Sequence, residues 1–288
     1  MTTEKEFTIN NKTKGILWYL VIAFAITWSS VLGIYLLGGV SSSALDVTSA
    51  SPLVGLLGML GTFGPAIAAF VVRKWITREG FKDAGLRLHF RAGWTIYLWA
   101  VIAPLAGGIL TVVAAWATGA EVSGLSAISA TDIVPWIIGA LIWTPILFGE
   151  EFGWRGYLQP RLAPGRPLQA ALRMGLIWGI WHYAQVLAGI VMSANPLALL
   201  IFPFSCITGS ILLGWLRTKS QSVWPACLAH AVGNVIVTGA IGGLLPQVPD
   251  ISTFAYRVIG YALVALALFL SHRVPWREAE ATQVAAHA

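Results

Sequence analysis

Long apolar stretches dominate this chain, at about residues 15–39, 52–72, 94–118, 133–153, 174–192, 197–216, 223–245 and 253–271. An α-helix needs about 20 apolar residues to cross the ~30 Å hydrocarbon core of a bilayer, and most of these stretches are near that length. Inside a bilayer the backbone must satisfy its own hydrogen bonds, and continuous apolar runs do so as helices. Composition agrees: 57% of the 288 residues are hydrophobic and only 10% are charged, whereas a soluble domain carries about a quarter charged residues. The expected fold class is all-α, a polytopic membrane protein of about eight transmembrane helices in a single membrane domain over 1–288.

Charge then orients the helices. Lysines and arginines fall at the amino terminus (Lys5, Lys12, Lys14), in the second connection (Arg73 to Arg91), the fourth (Arg155 to Arg173), the sixth (Arg217, Lys219) and the tail (Arg273, Arg277). The alternate connections around 40–51, 119–132, 193–196 and 246–252 have none, so of 18 cations only Arg257 lies near the other side. The positive-inside rule therefore predicts cytoplasmic termini and an even number of spans. The net charge of +6 is thus set against anionic headgroups along short loops, which argues against nucleic acid as a partner. The run from Gly15 is too long for a signal-peptide core, and the small residues Ser41 to Ala44 are not read as a cleavage site. Cys206 and Cys227 lie in apolar segments and are read as packing residues. Asn195-Pro196 reads as a tight turn between the fifth and sixth spans.

Ten of the 12 acids belong to tails or loops. The other two, Glu150 and Glu151, close an uncharged run from Ile133 to Gly149. An acid at such a position costs about 2.5–3.5 kcal/mol on insertion scales and marks a functional site by default. His89, His272 and His287 have hydrophilic neighbours, but His182 and His230 lie inside spans. With span four running inward and spans five and seven outward, Glu150, His182 and His230 reach one layer of the cytoplasmic half. His182 lies about 10 Å in, at 1.5 Å per residue. Three helices bringing ionisable groups to one depth points to a shared site.

Local spacing refines this. His230 and Asn234 are i, i+4 and share a helix face. Glu151 and Arg155 have the same spacing, which predicts an ion pair along the helix. Glu150, rotated about 100° from Glu151, is expected to face the cavity with His182, His230 and Asn234. Gly153 and Gly156 predict close approach of another helix. Trp178 and Trp154 are read as cavity walls.

Taken singly, His182, the His230–Asn234 pair and the Glu151–Arg155 pair each have a bland reading as interhelical polar contacts. Together, a buried acid, two histidines and an amide can activate water and stabilise an oxyanion. A proton-coupled transporter with Glu150 as proton site is one alternative, although no inverted repeat or paired broken spans are evident. A non-catalytic membrane scaffold is another.

The motifs resemble those of the CAAX prenyl protease and bacteriocin-processing (CPBP, or Abi) family of intramembrane proteases. Glu150, Glu151 and Arg155 match its Glu-Glu-x-x-x-Arg motif; Trp178 and His182 match an aromatic four before a histidine, with Trp in place of the commoner Phe. His230 and Asn234 match His-x-x-x-Asn. The resemblance covers about 132–245, between N-terminal helices (1–131) that carry no recognised motif and a last helix (246–271) with a cytoplasmic tail (272–288). It implies an eight-helix endopeptidase whose site opens to the cytosol, with Glu150 and His182 activating water and His230 and Asn234 holding the oxyanion. Glu151 and Arg155 would shape the site or contact substrate. A peptide or protein at the membrane, lipidated or not, would be the substrate, and the plasma membrane the expected location. The family is commonly called metalloprotease, and Glu150, His182 and His230 could form a Zn2+ set. The absence of His-Glu-x-x-His favours no cofactor or leaves one divalent metal as the alternative.

Overall fold

The computed structural model describes residues 2–37, 51–192 and 195–270, and side chains from residue 11 onward within them, those of 91 and 92 excepted. The connection at 40–51, up to residue 50, and the tail at 272–288, with Ser41 to Ala44, His272, Arg273, Arg277 and His287, fall outside the described residues. Described secondary structure is helical: α1 (Thr2–Leu36), α2 (Pro52–Val71), α3 (Phe90–Ala117), α4 (Ala130–Ile146), α5 (Phe148–Gly153), α6 (Gln159–Leu162), α7 (Pro167–Trp181), α8 (Tyr183–Leu187), α9 (Ala198–Ser220), α10 (Trp224–Ala231), α11 (Thr238–Leu244) and α12 (Asp250–Leu270). Wider π turns continue α2 through Val72–Ile76, join α5 to α6 through Trp154–Leu158, and join α10 to α11 through Val232–Val237.

Among the described residues seven helical stretches are long and apolar enough to cross a membrane: Asn11–Leu36, Pro52–Ile76, Gly93–Ala117, Ala130–Leu162, Ala198–Ser220, Trp224–Leu244 and Asp250–Leu270. Their outer faces are greasy. On α4, Val134, Ile138, Leu141 and Ile142 are all more than half exposed, an arrangement that fits lipid and would be an aggregation hazard in water. The protein is an integral, polytopic membrane protein.

The fifth apolar stretch differs from the expected helix over 174–192. Its helix starts earlier, at Pro167, and breaks at His182 before the short α8. At 15 residues it is about 22 Å long, short of a full crossing. Its length is limited by the polar Gln169 and Arg173 in its first half and by the break at the histidine. What holds it is α9: a Cβ on Gly175 would lie 2.4 Å from the Ile207 Cα, so the two backbones touch. The following turn is as expected, with Leu197 N–H donating to Asn195 Oδ1 at 2.9 Å.

Several cations expected in headgroup-facing loops are instead turned inward. Arg73 is fully buried. It donates from Nη1 and Nη2 to the two Asp83 carboxylate oxygens at 2.7 and 3.1 Å, and to the Gly156 carbonyl at 2.9 Å. Arg161 bonds Glu79 and Asp83, and Arg217 donates to the Asp83 carbonyl. Val223 N–H and Trp224 Nε1–H bond the carbonyls of Gly85 and Leu86. The loop between α2 and α3 thus ties together the ends of α2, α6, α9 and α10.

Burial pushes the Asp83 carboxyl up, but the Arg73 hydrogen bonds and the charges of Arg73 and Arg161 outweigh it and hold the group at about 2, below its ordinary 3.8. A depressed carboxyl contributes its stability fully above the unfolded value and loses it as pH falls toward the folded one. Asp83→Asn is therefore expected to lower the apparent Tm by roughly 2–4 °C at pH 7, the scale of a half-exposed ion pair. Thermal scans at successively lower pH should show that difference steady to about pH 5 and closing below about pH 4.

Candidate active site

The chain kinks at Leu147, and α5 restarts with Glu150 and Glu151 in its first turn. This short helix is driven into α2, where a Cβ on Gly153 would lie 2.5 Å from Pro65 backbone and side-chain atoms; Gly156 likewise faces the Ala84 carbonyl. Such contact is possible only for glycine, and it carries both acids into the protein interior. Adjacent helical positions point about 100° apart, so the two carboxylates meet different neighbours.

Glu151, fully buried, is the centre of a hydrogen-bonded triad. Its Oε1 accepts from Arg155 Nη1 at 2.9 Å and faces His230 Nδ1 at 2.9 Å. The Arg155 guanidinium, also fully buried, lies 4.6 Å over the Trp178 ring. Among the described residues Glu151 Oε2 and Arg155 Nε and Nη2 find no hydrogen-bond partner, leaving hydrogen-bonding capacity beside the acid.

Glu150 keeps 7% exposure. Its Oε2 accepts from Trp178 Nε1 at 2.9 Å. Trp178 also meets both histidines edge-on, with ring centroids 5.5 Å from His182 and 5.1 Å from His230. The acid and the two histidines therefore gather around one indole, although they come from α5, the end of α7 and α10. Further packing fixes the wall: Trp181 stands 5.6 Å from Trp154 and 4.7 Å from His182, and Trp154 stands 5.6 Å from Tyr19 of α1.

The two imidazoles are held differently. His182 Nδ1 is 2.8 Å from the Trp178 carbonyl. A carbonyl only accepts, so this nitrogen carries the proton, and Nε2 of the neutral ring presents a lone pair. His230 Nδ1 faces a carboxylate instead and donates to it, which fixes the ring with Nε2 free to work.

The geometry departs from the sequence expectation in three ways. Glu150 bonds the Trp178 indole rather than a histidine. His230 goes to Glu151, which projects from α5 toward α10. Asn234 does not share the buried face of His230: His230 is 8% exposed and Asn234 is exposed, because the π turn over Val232–Val237 breaks the α-helical phase between them. The Glu151–Arg155 pair forms as its spacing predicts. Two participants were not read as such. Trp178 was read as a wall and is also a donor, a role its indole N–H permits. Cys206, read as packing, places its Sγ 3.9 Å from His182 Nδ1, a contact between α9 and α7 that no spacing reveals.

A metal does not fit this arrangement. Among the described residues no three His, Cys, Asp or Glu side chains come together as a set that could hold an ion.

Residues 130–236 match the family model described as Type II CAAX prenyl endopeptidase Rce1-like. The match contains Glu150, Glu151, Arg155, Trp178, His182, His230 and Asn234. Among curated proteins none matches the chain.

Proposed function

Since residues 130–236 form a domain of the type II CAAX prenyl endopeptidase family of intramembrane proteases, we propose that this chain hydrolyses peptide bonds near the cytoplasmic membrane face with Glu150 as the base. The observation that carries the reading is the meeting of Glu150, His182 and His230 around Trp178. Glu150 Oε1 and His182 Nε2 hold the attacking water, and Glu150 takes its proton as the oxygen adds to the scissile carbonyl. The Asn234 amide and the imidazolium form of His230, with Nδ1–H on Glu151 and Nε2–H toward the substrate, donate to the developing oxyanion; Glu150 then passes the water's proton to the leaving amine as the C–N bond breaks. Glu151 fixes the His230 ring in the way a carboxylate orients a catalytic imidazole. Arg155, fully buried, shapes the site by holding Glu151 in place. No step passes through a metal. The positive-inside pattern of the loops supports a cytosolic side for both termini and for the mouth of the site, and the plasma membrane is the proposed location. The substrate is a membrane-associated peptide.

Reconstitution tests this reading against a proton-coupled carrier. Protein in proteoliposomes is expected to cleave membrane-anchored peptides without accumulating any solute under a proton gradient. Gradient-driven uptake without peptidolysis would replace the enzyme reading with the transporter.

Trp178 acts through Glu150 and is a positioning residue. Trp178→Phe keeps the ring between the histidines and removes the donor to Oε2. A hydrogen bond to a charged group contributes about 1.5–3 kcal/mol. Steady-state kinetics are expected to show kcat lowered about tenfold or somewhat more, with KM within about twofold.

A further inference from the structure

We propose that Arg257, the one cation standing apart from the cytoplasmic set, is a positioning residue that holds the π turn presenting Asn234. It rests on the oxyanion role given to Asn234 above. Arg257 lies on α12, beyond the matched residues 130–236. A guanidinium within a membrane-crossing helix is costly and calls for a specific use. Its Nη2 reaches the Gly233 carbonyl at 3.4 Å and Thr238 Oγ1 at 3.3 Å. Thr238 Oγ1 in turn donates to the same Gly233 carbonyl at 3.1 Å. Gly233 and Thr238 are five residues apart, the hydrogen-bonding interval of a π turn.

The three groups form a triangle across the widened turn, and Asn234 is the residue next to its apex. Each bond is long, but the guanidinium makes them charge-assisted and no bulk water competes for them inside a bilayer. A π turn is less favourable than continuous α-helix and occurs mostly where function requires it. Without the triangle, the segment is free to relax toward α-helical phase, which would turn Asn234 away from the position the π turn gives it.

The position of Arg257 is itself fixed. One turn later on α12, a Cβ on Gly260 would lie 2.5 Å from the Gly107 carbonyl, so α12 is pressed against α3 and cannot slide. Phe254 lies under the guanidinium at 5.5 Å and touches Phe202, which touches His182. The last helix is thereby coupled to both sides of the site.

A double-mutant cycle with Asn234 tests this, read as kcat and KM in proteoliposomes. Asn234→Ala is expected to lower kcat about 10^2-fold, and Arg257→Gln about tenfold with KM within about twofold. If Arg257 acts through Asn234, the double variant is no slower than Asn234→Ala alone. Arg257→Lys, which keeps a charged donor, should stay within about threefold of the unaltered protein. Thr238→Val, which leaves the charge in place, reads the same cycle should Arg257→Gln fail to fold. Multiplicative losses in the double variants, or full kcat in both Arg257→Gln and Thr238→Val, would overturn the proposal while leaving the peptidase reading intact. Full kcat in Asn234→Ala would instead remove the oxyanion assignment, and this inference with it.

Discussion

Glu150→Gln is expected to lower kcat by about 10^3-fold while leaving KM within a few-fold. Gln has the same shape, and its amide oxygen can still accept from Trp178 Nε1, which now bonds Oε2 at 2.9 Å. What disappears is the second carboxylate oxygen, the atom assigned to take a proton from water. The amide cannot do so, and general-base catalysis by a positioned group typically contributes 10^2–10^4-fold. Cleavage of one peptide in matched proteoliposomes gives both constants. Unchanged turnover would remove Glu150 from the chemistry and leave it a buried structural acid.

The second large effect is on stability. Arg155→Ala leaves Glu151, fully buried and bonded to Arg155 and His230, with half of its compensation gone. Removing one member of a buried ion pair costs about 3–5 kcal/mol, because the remaining charge stays in a medium that solvates it poorly. The apparent Tm in detergent is expected to fall by about 10 °C, and the half-life at fixed temperature to shorten accordingly. Combining Arg155→Met with Glu151→Gln removes both charges and should recover part of that stability. It should not recover activity, because the His230 ring would have lost the carboxylate that orients it. A stable Arg155→Ala protein would show that the triad contributes little to the fold.

Much of the architecture was legible because it rests on local quantities. Length and apolarity mark the spans from Asn11–Leu36 to Asp250–Leu270, and helical periodicity alone predicts the bond from Arg155 to Glu151. Periodicity falls short where a helix departs from 3.6 residues per turn. No residue pattern announces the π turn over Val232–Val237, so His230 and Asn234 were placed on one face, whereas the structure buries the first and exposes the second. The break at His182 escaped notice for the same reason and shortened the fifth helix. Partners far apart in sequence were also hidden. His230 and Glu151 are separated by 79 residues, so whether the histidine meets Glu150 or Glu151 depends on how α10 packs against α5. The inward turn of Arg73 toward Asp83 and Gly156 is hidden too, because a cation beside a span end is read first as a headgroup contact. Arg257 was visible as the exception to the charge pattern, but its use depends on the packing of α12 against the turn.

The central claim is that the acid held by Trp178 makes this membrane protein a peptidase, and the protein's own membrane gives the most direct test. Peptide termini are quantified by mass spectrometry in membranes of cells carrying the unaltered chain and of cells carrying Glu150→Gln at equal abundance. The account predicts new carboxyl termini close to cytoplasmic membrane boundaries that are present with the unaltered chain and lost with Glu150→Gln. Identical sets of termini in the two membranes would contradict it.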